Sequence, residues 1–427
     1  MTTLPLAGRS FLLLQGPQSG FFRLLAGKLA EAGAAVRKVH FCGGDVFLWG
    51  LDQRDCDWYR GGLYGWVTWI GNVYRMRHVT DICVYGDWRP LHWEAVRLAH
   101  VRGIHVWVYE EGYLRSRYST LEEDGVNGRS RLPRIPSEIH QAATEKKAIP
   151  EDVPVSNRMK DKVLKAIWHH VGNFILYPVF HRYRTHRPTC IGVELPGILR
   201  RYFTRHRRAR RDAARLEAFF SQSEPYFFFP LQLNSDSQIQ LYSPYVRMEE
   251  AIADVLTSFA EHAPKDARLL IKNHPLDNGL IRYSIFIESF ARELGIAERV
   301  TYLESGPAER IIEGAVGVVL INSTVGLSAL RLGRPVYCLG RSIYSITGLA
   351  QSMPLSKLDD FWTNPSAPDS ELVADFCKVV RRRASIRGNF YSEGAMTYAA
   401  VDSVSRFAAV GASNSNLTDY QEKEVSA

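Results

Sequence analysis

An α/β fold built as two Rossmann-like domains, with a cleft between them, is what this sequence predicts. Three observations carry that expectation. Short apolar runs alternate with amphipathic helical stretches, as in a parallel sheet covered on both faces. The alternation comes in two blocks, separated by a segment that breaks it. At 427 residues the chain is too long for one simple core.

The first block opens with an apolar strand at 10–15, followed by Gly16-Pro17-Gln18-Ser19-Gly20 and a helix from Phe21 to Ala32. Val36 to Phe41 reads as the next strand. "TDICVYGDW" (80–88) and "GIHVWVYEEG" (103–112) are two more, with a helix near His92 to Arg102 between them. Residues 113–215 break the rhythm: they carry Pro133, Pro136, Pro150 and Pro154, a polar segment, then an aromatic and basic helical region. The second block begins at Tyr226-Phe227-Phe228-Phe229-Pro230. A helix (Val246 to Ala260), strand 268–273, helix 280–294, strand 299–303, helix 307–314, strand 316–321, helix 325–332 and strand 335–339 follow. Helices are expected near 370–383 and 394–410. The expected organisation is an N-terminal α/β domain (1–136), a helical, basic connector or insertion (137–220), a second α/β domain (221–350), C-terminal helices (351–411) and a disordered tail (412–427). Two such α/β domains make a GT-B-type architecture.

An apolar fraction of 46% and a charged fraction of 23% are those of a folded protein. Six cysteines, Cys42, Cys56, Cys83, Cys190, Cys338 and Cys377, are scattered without a C-x-x-C pair. That argues against a zinc site or disulfide framework and suits a reducing compartment. "MTTLPLAGRSFLLLQG" reads as a first strand rather than a signal peptide. No stretch approaches the roughly 20 apolar residues of a membrane span. The expected location is cytosolic, or peripheral on a membrane. The net charge of +8 is uneven, with seven arginines between Arg200 and Arg211. Such a block is either a solvated helix face or a surface for nucleic acid or anionic lipid. Lipid is favoured over nucleic acid, because no nucleic-acid motif accompanies the arginines and Tyr202 and Phe203 stand beside them.

Polar groups gather where strands of the second block end. The first runs into Gln232, Asn234, Asp236 and Ser237. The next ends in Lys272-Asn273-His274-Pro275, and a later one in Asn322-Ser323-Thr324, which opens a helix containing Gly326. Parallel strand ends lie side by side, and open α/β sheets bind ligands there. A helix start suits a phosphate, and Ser323 or Thr324 could cap that helix. In the first block a strand ends on Glu110-Glu111-Gly112, with Arg115 close by. Gly16 could shape a cleft floor. Asp55-Cys56-Asp57 has the D-x-D form of some metal-binding transferases, but reads as a polar loop exposed to solvent.

"EEG", "NHP" and "NST", in that order, resemble motifs of bacterial transferases that use CMP-activated acidic sugars. With "LLQGPQSGFF" (13–22), "TLEEDGVNG" (120–128), "LQLNSDSQI" (231–239) and "GRPVYCLG" (333–340), the chain resembles the capsule polysaccharide synthesis family of the KpsS/KpsC type, on the KpsS-like side. The resemblance implies a β-Kdo transferase with CMP-Kdo as donor and a phosphatidylglycerol-type lipid as acceptor. It needs no metal and no other cofactor, and is cytoplasmic, acting at the anionic inner face of the cytoplasmic membrane beside other capsule assembly and export proteins. Within it, the Q-x-x-x-D-S stretch places Asp236 as nucleophile, and Glu111 is the base for the acceptor hydroxyl; the two roles could be inverted. His274, Ser323, Thr324 and Gly326 would hold the departing phosphate, with Lys272, Asn273 and Asn322 alongside. Gln232, Asn234 and Ser237 would recognise the sugar. Two rivals remain: an inverting sialyltransferase-like enzyme with Glu111 as general base, and a non-catalytic export component.

Overall fold

In the computed structural model, residues 4–114, 117–146, 152–153, 159–185, 191–234 and 236–425 are described, and the chain divides into two compact α/β units. The order begins β1 (Ser10–Leu13), α1 (Phe21–Glu31), β2 (Ala35–His40), α2 (Gly43–Trp49), β3 (Cys56–Trp58) and α3 (Leu63–Met76). It continues through β4 (Asp81–Tyr85), α4 (Pro90–Val101), β5 (His105–Glu111) and β6 (Tyr118–Glu123). Helices α5 (Pro136–Ala143), α6 (Met159–Ile175) and α7 (Ile191–Phe220) lead to β7 (Tyr226–Pro230). Next come α8 (Ser237–Tyr242), α9 (Met248–His262), β8 (Arg268–Lys272), α10 (Tyr283–Glu293) and β9 (Val300–Leu303). Then follow α11 (Ala308–Gly314), β10 (Gly317–Leu320), α12 (Val325–Arg331), β11 (Val336–Cys338) and β12 (Gln351–Ser352). The last elements are α13 (Ser356–Thr363), α14 (Ser370–Arg383), β13 (Ser385–Arg387) and α15 (Glu393–Val425).

The first unit comprises residues 1–131, 147–186 and 380–427. Its seven-stranded sheet has the order β13-β6-β5-β4-β1-β2-β3. β3 through β5 run parallel, whereas β6 and β13 are antiparallel to their neighbours. One face of the sheet is covered by α1 and α15. Phe21, Phe22, Leu25 and Leu29 form the buried stripe of α1, and Phe407 of α15 packs its ring on Phe11 and Trp107. Trp66, Ile70 and Tyr74 of α3, with Ala95, Val96 and Ala99 of α4, build the core on the other face.

The second unit comprises residues 132–146 and 187–379. Its six strands, in the order β12-β11-β10-β7-β8-β9, are all parallel. The central strand β7, Tyr-Phe-Phe-Phe-Pro, is buried along its whole length, as a parallel strand covered on both faces requires. Met248, Ala251, Ile252, Val255, Leu256 and Phe259 give α9 a continuous apolar face against it.

The division differs in detail from the sequence expectation. The connector 137–220 is shared: its first part and α7 belong to the second unit, and α6 to the first. Residues 380–410, expected as helices alone, also supply β13, an edge strand of the first sheet. β6, inside the segment that breaks the alternation, pairs antiparallel with β5. The D-x-D stretch is a strand rather than a loop: Cys56–Trp58 pairs with β2, and Asp57 takes two hydrogen bonds from Arg37 at 3.0 and 3.1 Å. Strands of three residues, as β3 and β13 are, are too short for a periodic pattern to announce them. α15 continues to Val425 through the segment expected to be disordered; no proline or glycine after Gly411 breaks its backbone.

β6 also carries a buried acid. Glu122 is 6% exposed and accepts hydrogen bonds from the hydroxyls of Ser130 and Tyr113, the latter at 2.7 Å. Burial raises its pKa from 4.5 to about 7, against the pull of those hydroxyls and of Arg406. A carboxyl whose folded pKa is raised contributes stability below its unfolded pKa, which is lost as pH rises through the folded value. Glu122→Gln is therefore expected to melt progressively higher than the parent between pH 5 and pH 8. Thermal denaturation across that range checks it; a pH-independent difference would refute the assignment.

Candidate functional site

In the second unit the carboxyl ends of β10, β7 and β8 are neighbours, and each ends in polar residues. A hydrogen-bond web ties the first two together. Gln232, after β7, donates from Nε2 to Asn322 Oδ1 at 3.1 Å, and its Oε1 accepts from the Asn322 amide at 3.1 Å. Asn322 Nδ2 donates to the carbonyl of Gln238 in α8 at 2.7 Å. Asp236 is the N-cap of α8, accepting from the Gln238 amide at 2.9 Å. Gln232, Asn322 and Asp236 thus sit in one constellation, fixed by two strand ends and a helix start. Ser237 opens α8, with its side chain outside the described residues; Arg115 also lies outside them.

At the end of β8, His274 is half-buried, and its Nδ1 accepts from the Leu276 amide at 3.1 Å. That bond leaves the neutral ring's hydrogen on Nε2, making it a donor. Asn273 is 2% exposed and turned inward, bonding the His274 amide at 2.7 Å and Asp277 at 3.2 Å. It shapes the turn. Lys272 is 6% exposed and donates to the Asn273 carbonyl at 3.3 Å. Burial lowers its pKa, with Asp212 opposing. Asn234 is also committed internally: it donates to Glu249 at 3.0 Å and accepts from the Met248 amide at 2.6 Å, at the start of α9. Its residue type suits a helix cap as well as a sugar, which sequence alone does not separate.

β10 leads into α12. Ser323 Oγ accepts from the Val325 amide at 3.3 Å, while Thr324, at the N-cap position, makes no side-chain cap. Gly326 has a packing reason to be glycine: a Cβ there would overlap the Tyr344 hydroxyl, which donates to the Ser323 carbonyl. Gly16 is similar, since a Cβ would lie 2.9 Å from the Phe22 ring.

In the first unit, β5 delivers Glu111. Its Oε1 accepts from Tyr391 at 2.8 Å and Tyr85 at 3.2 Å, and Lys162 Nζ lies 3.4 Å away. The side chain is 43% exposed, so a carboxylate held by three donors still reaches solvent. Gly112 follows because β6 crosses closely; a Cβ there would overlap the Tyr118 carbonyl.

A second polar cluster lies at the carboxyl ends of β1 and β2. Gln15 Oε1 accepts from Arg89 at 2.9 Å and Tyr183 at 3.2 Å, and its Nε2 donates to Asp45 at 3.1 Å. Lys38, 3% exposed, donates to the Leu14 and Val39 carbonyls at 2.8 and 2.6 Å. Burial would raise the pKa of Asp45, yet Lys38, His169 and His40 bring it below its usual value. Sequence reasoning missed this cluster; the only signal is that Gln15 directly follows the first apolar run. Cys42, Asp45 and His169 could together hold a metal ion, as could His140, Glu371 and Asp375. Asp45 already has hydrogen-bond donors and cationic neighbours without one.

The chain thus has two α/β units, each with polar side chains gathered at the carboxyl ends of parallel strands. The chain belongs to the capsule polysaccharide biosynthesis protein family, whose model matches residues 80–391. It is 32% identical over 395 residues to the capsule polysaccharide export protein KpsS of Escherichia coli, covering 91% of this chain and 98% of that protein. The capsule polysaccharide modification protein LipB of Neisseria meningitidis serogroup A is 32% identical over 398 residues, covering 91% and 93%. Among solved structures, the β-Kdo 2,7 transferase KpsC of Thermosulfurimonas dismutans aligns with a TM-score of 0.44 at 15% identity, covering 95% of this chain and 100% of that one.

Proposed function

We propose that this protein is a β-Kdo transferase. It moves Kdo from CMP-Kdo to a (lyso)phosphatidylglycerol-type lipid at the cytoplasmic face of the inner membrane, and so begins the poly-Kdo linker of a capsular polysaccharide. The observation that carries the reading is the bonded pair Gln232 and Asn322, tied through Gln238 to the helix that Asp236 caps, with His274 following the neighbouring strand β8, at the strand ends where an open α/β sheet receives a nucleotide. The spacing of the Q-x-x-x-D-S motif accounts for it.

The chemistry follows from residue types. CMP is a monophosphate leaving group, and protein donors can neutralise it without a metal. The His274 Nε2–H and the 323–326 segment would stabilise the departing phosphate. Donor and product are both β-linked, so two displacements are needed. Asp236 attacks the anomeric carbon as the bond to the phosphate oxygen breaks and CMP leaves. Glu111 then takes the proton of the acceptor hydroxyl, whose oxygen displaces Asp236. Other capsule assembly and export proteins are the expected partners, and nucleic acid is not.

The test is CMP release from CMP-Kdo, with and without a phosphatidylglycerol acceptor. Acceptor-dependent release supports the reading. Its absence leaves the second reading, a non-catalytic export component, in line with the E. coli relative's designation as an export protein. His274→Ala is expected to lower kcat by about 10²–10³-fold with an unchanged melting temperature, because water can replace its bond to the Leu276 amide. A near-normal kcat would remove His274 from the reaction.

A further inference from the structure

The arginine block on α7 is two surfaces rather than one. Arg201 points inward, bridging Asp277 at 3.1 Å and Glu304 at 2.8 Å, and Arg208 reaches Glu304 at 3.0 Å. Arg201 and Arg208 are only 11% and 18% exposed at their side chains. On the same side, Asp212 accepts from the amides of Glu304 and Ser305 at 3.0 and 2.9 Å. Gly197 lies so close to the Asn278 carbonyl that a Cβ would overlap it, and Arg200 donates to the Gly279 carbonyl at 2.9 Å. The inner face of α7 is therefore latched onto residues 277–279, the loop that follows His274.

The outer face is unlike it. Leu195, Ile198, Leu199, Tyr202 and Phe203 recur at helical spacing and are exposed, Tyr202 by 56% and Phe203 by 76%. Exposed Arg205, Arg207 and Arg210 come directly after them. The Arg205 guanidinium sits 3.9 Å over the Tyr202 ring. Apolar and aromatic side chains followed by cations suit an interface where rings enter the headgroup layer and guanidinium groups meet phosphates.

We propose that the outer face of α7 docks on an anionic lipid surface, and that its inner latch thereby fixes the His274 loop relative to that surface. Charge complementarity selects the occupant: three outward arginines beside an apolar arc match phosphate headgroups over acyl chains. This rests on the reading of the protein as a lipid-acceptor transferase, and assigns the lipid contact to one face of one helix.

The test uses the full chain and vesicles of phosphatidylcholine, with or without phosphatidylglycerol. The parent is expected to sediment with the phosphatidylglycerol vesicles and to be released by salt. Joint Arg205→Glu, Arg207→Glu and Arg210→Glu substitution should weaken that binding by about tenfold or more at an unchanged melting temperature. Should that variant misfold, Leu199→Ser with Phe203→Ser reads the same face. Arg201→Ala should lower the melting temperature and retain vesicle binding. Parent-like binding by the outer variants overturns the proposal. So does equal binding to phosphatidylcholine alone, or self-association through α7 without vesicle binding. Vesicle binding needs no CMP-Kdo, so it is scored apart from CMP release: binding without turnover removes only the transferase reading, and turnover on a soluble acceptor without binding removes only this one.

Discussion

Asp236→Asn is expected to abolish transfer while leaving the protein as stable as its parent. The expectation joins two roles of one side chain. Asp236 caps α8 through the Gln238 amide, and asparagine caps a helix about as well as aspartate does. The amide is no nucleophile, however, so kcat should fall by about 10⁴-fold or more, the scale on which a lost nucleophile is felt. Asp236→Ala should show the same kinetic loss and also cost about 1 kcal/mol of stability through the missing cap. Denaturation midpoints of the two variants separate cap from chemistry. If Asp236→Asn turns over normally, Asp236 is a helix cap alone.

Glu111→Gln is the second large effect. Glutamine keeps an oxygen to accept from Tyr391 and Tyr85, so folding should survive. It cannot take a proton, and transfer should slow by about 10²–10⁴-fold. Because Glu111 acts in the second displacement, this variant should accumulate a Kdo adduct on the peptide containing Asp236. Mass spectrometry of the digested protein reads it. An adduct on the Glu111 peptide of the parent would invert the roles. Persistent absence of any adduct would favour the inverting mechanism.

How much of this was legible beforehand varies with the physics of each element. Buried parallel strands announce themselves as unbroken apolar runs, so β7, β8 and β10 and their polar ends were readable. The hydrogen bond from Gln232 to Asn322, 90 residues away, follows from strand neighbourhood that no local pattern encodes. β3 and β13, three residues each at the two borders of the sheet, and β6, antiparallel between β5 and β13, owe their shape to partners and carry no local signal of it. Asn234 and Asn273 carry ligand-like groups, yet both are spent inside the fold on α9 and on the His274 turn. The seven arginines read as a single charge run; acids distant in sequence, Asp277 and Glu304, set Arg201 and Arg208 apart from the rest.

The placement of β13 governs how the polypeptide can mature. During synthesis every strand of the second sheet emerges before Ser385, so that sheet can close first. The first sheet must wait, with β6 a naked border open to a neighbouring nascent chain until residues 385–387 arrive. A ribosome stalled, or a gene cut, ahead of Ser385 would release a molecule with one finished half and one adhesive rim.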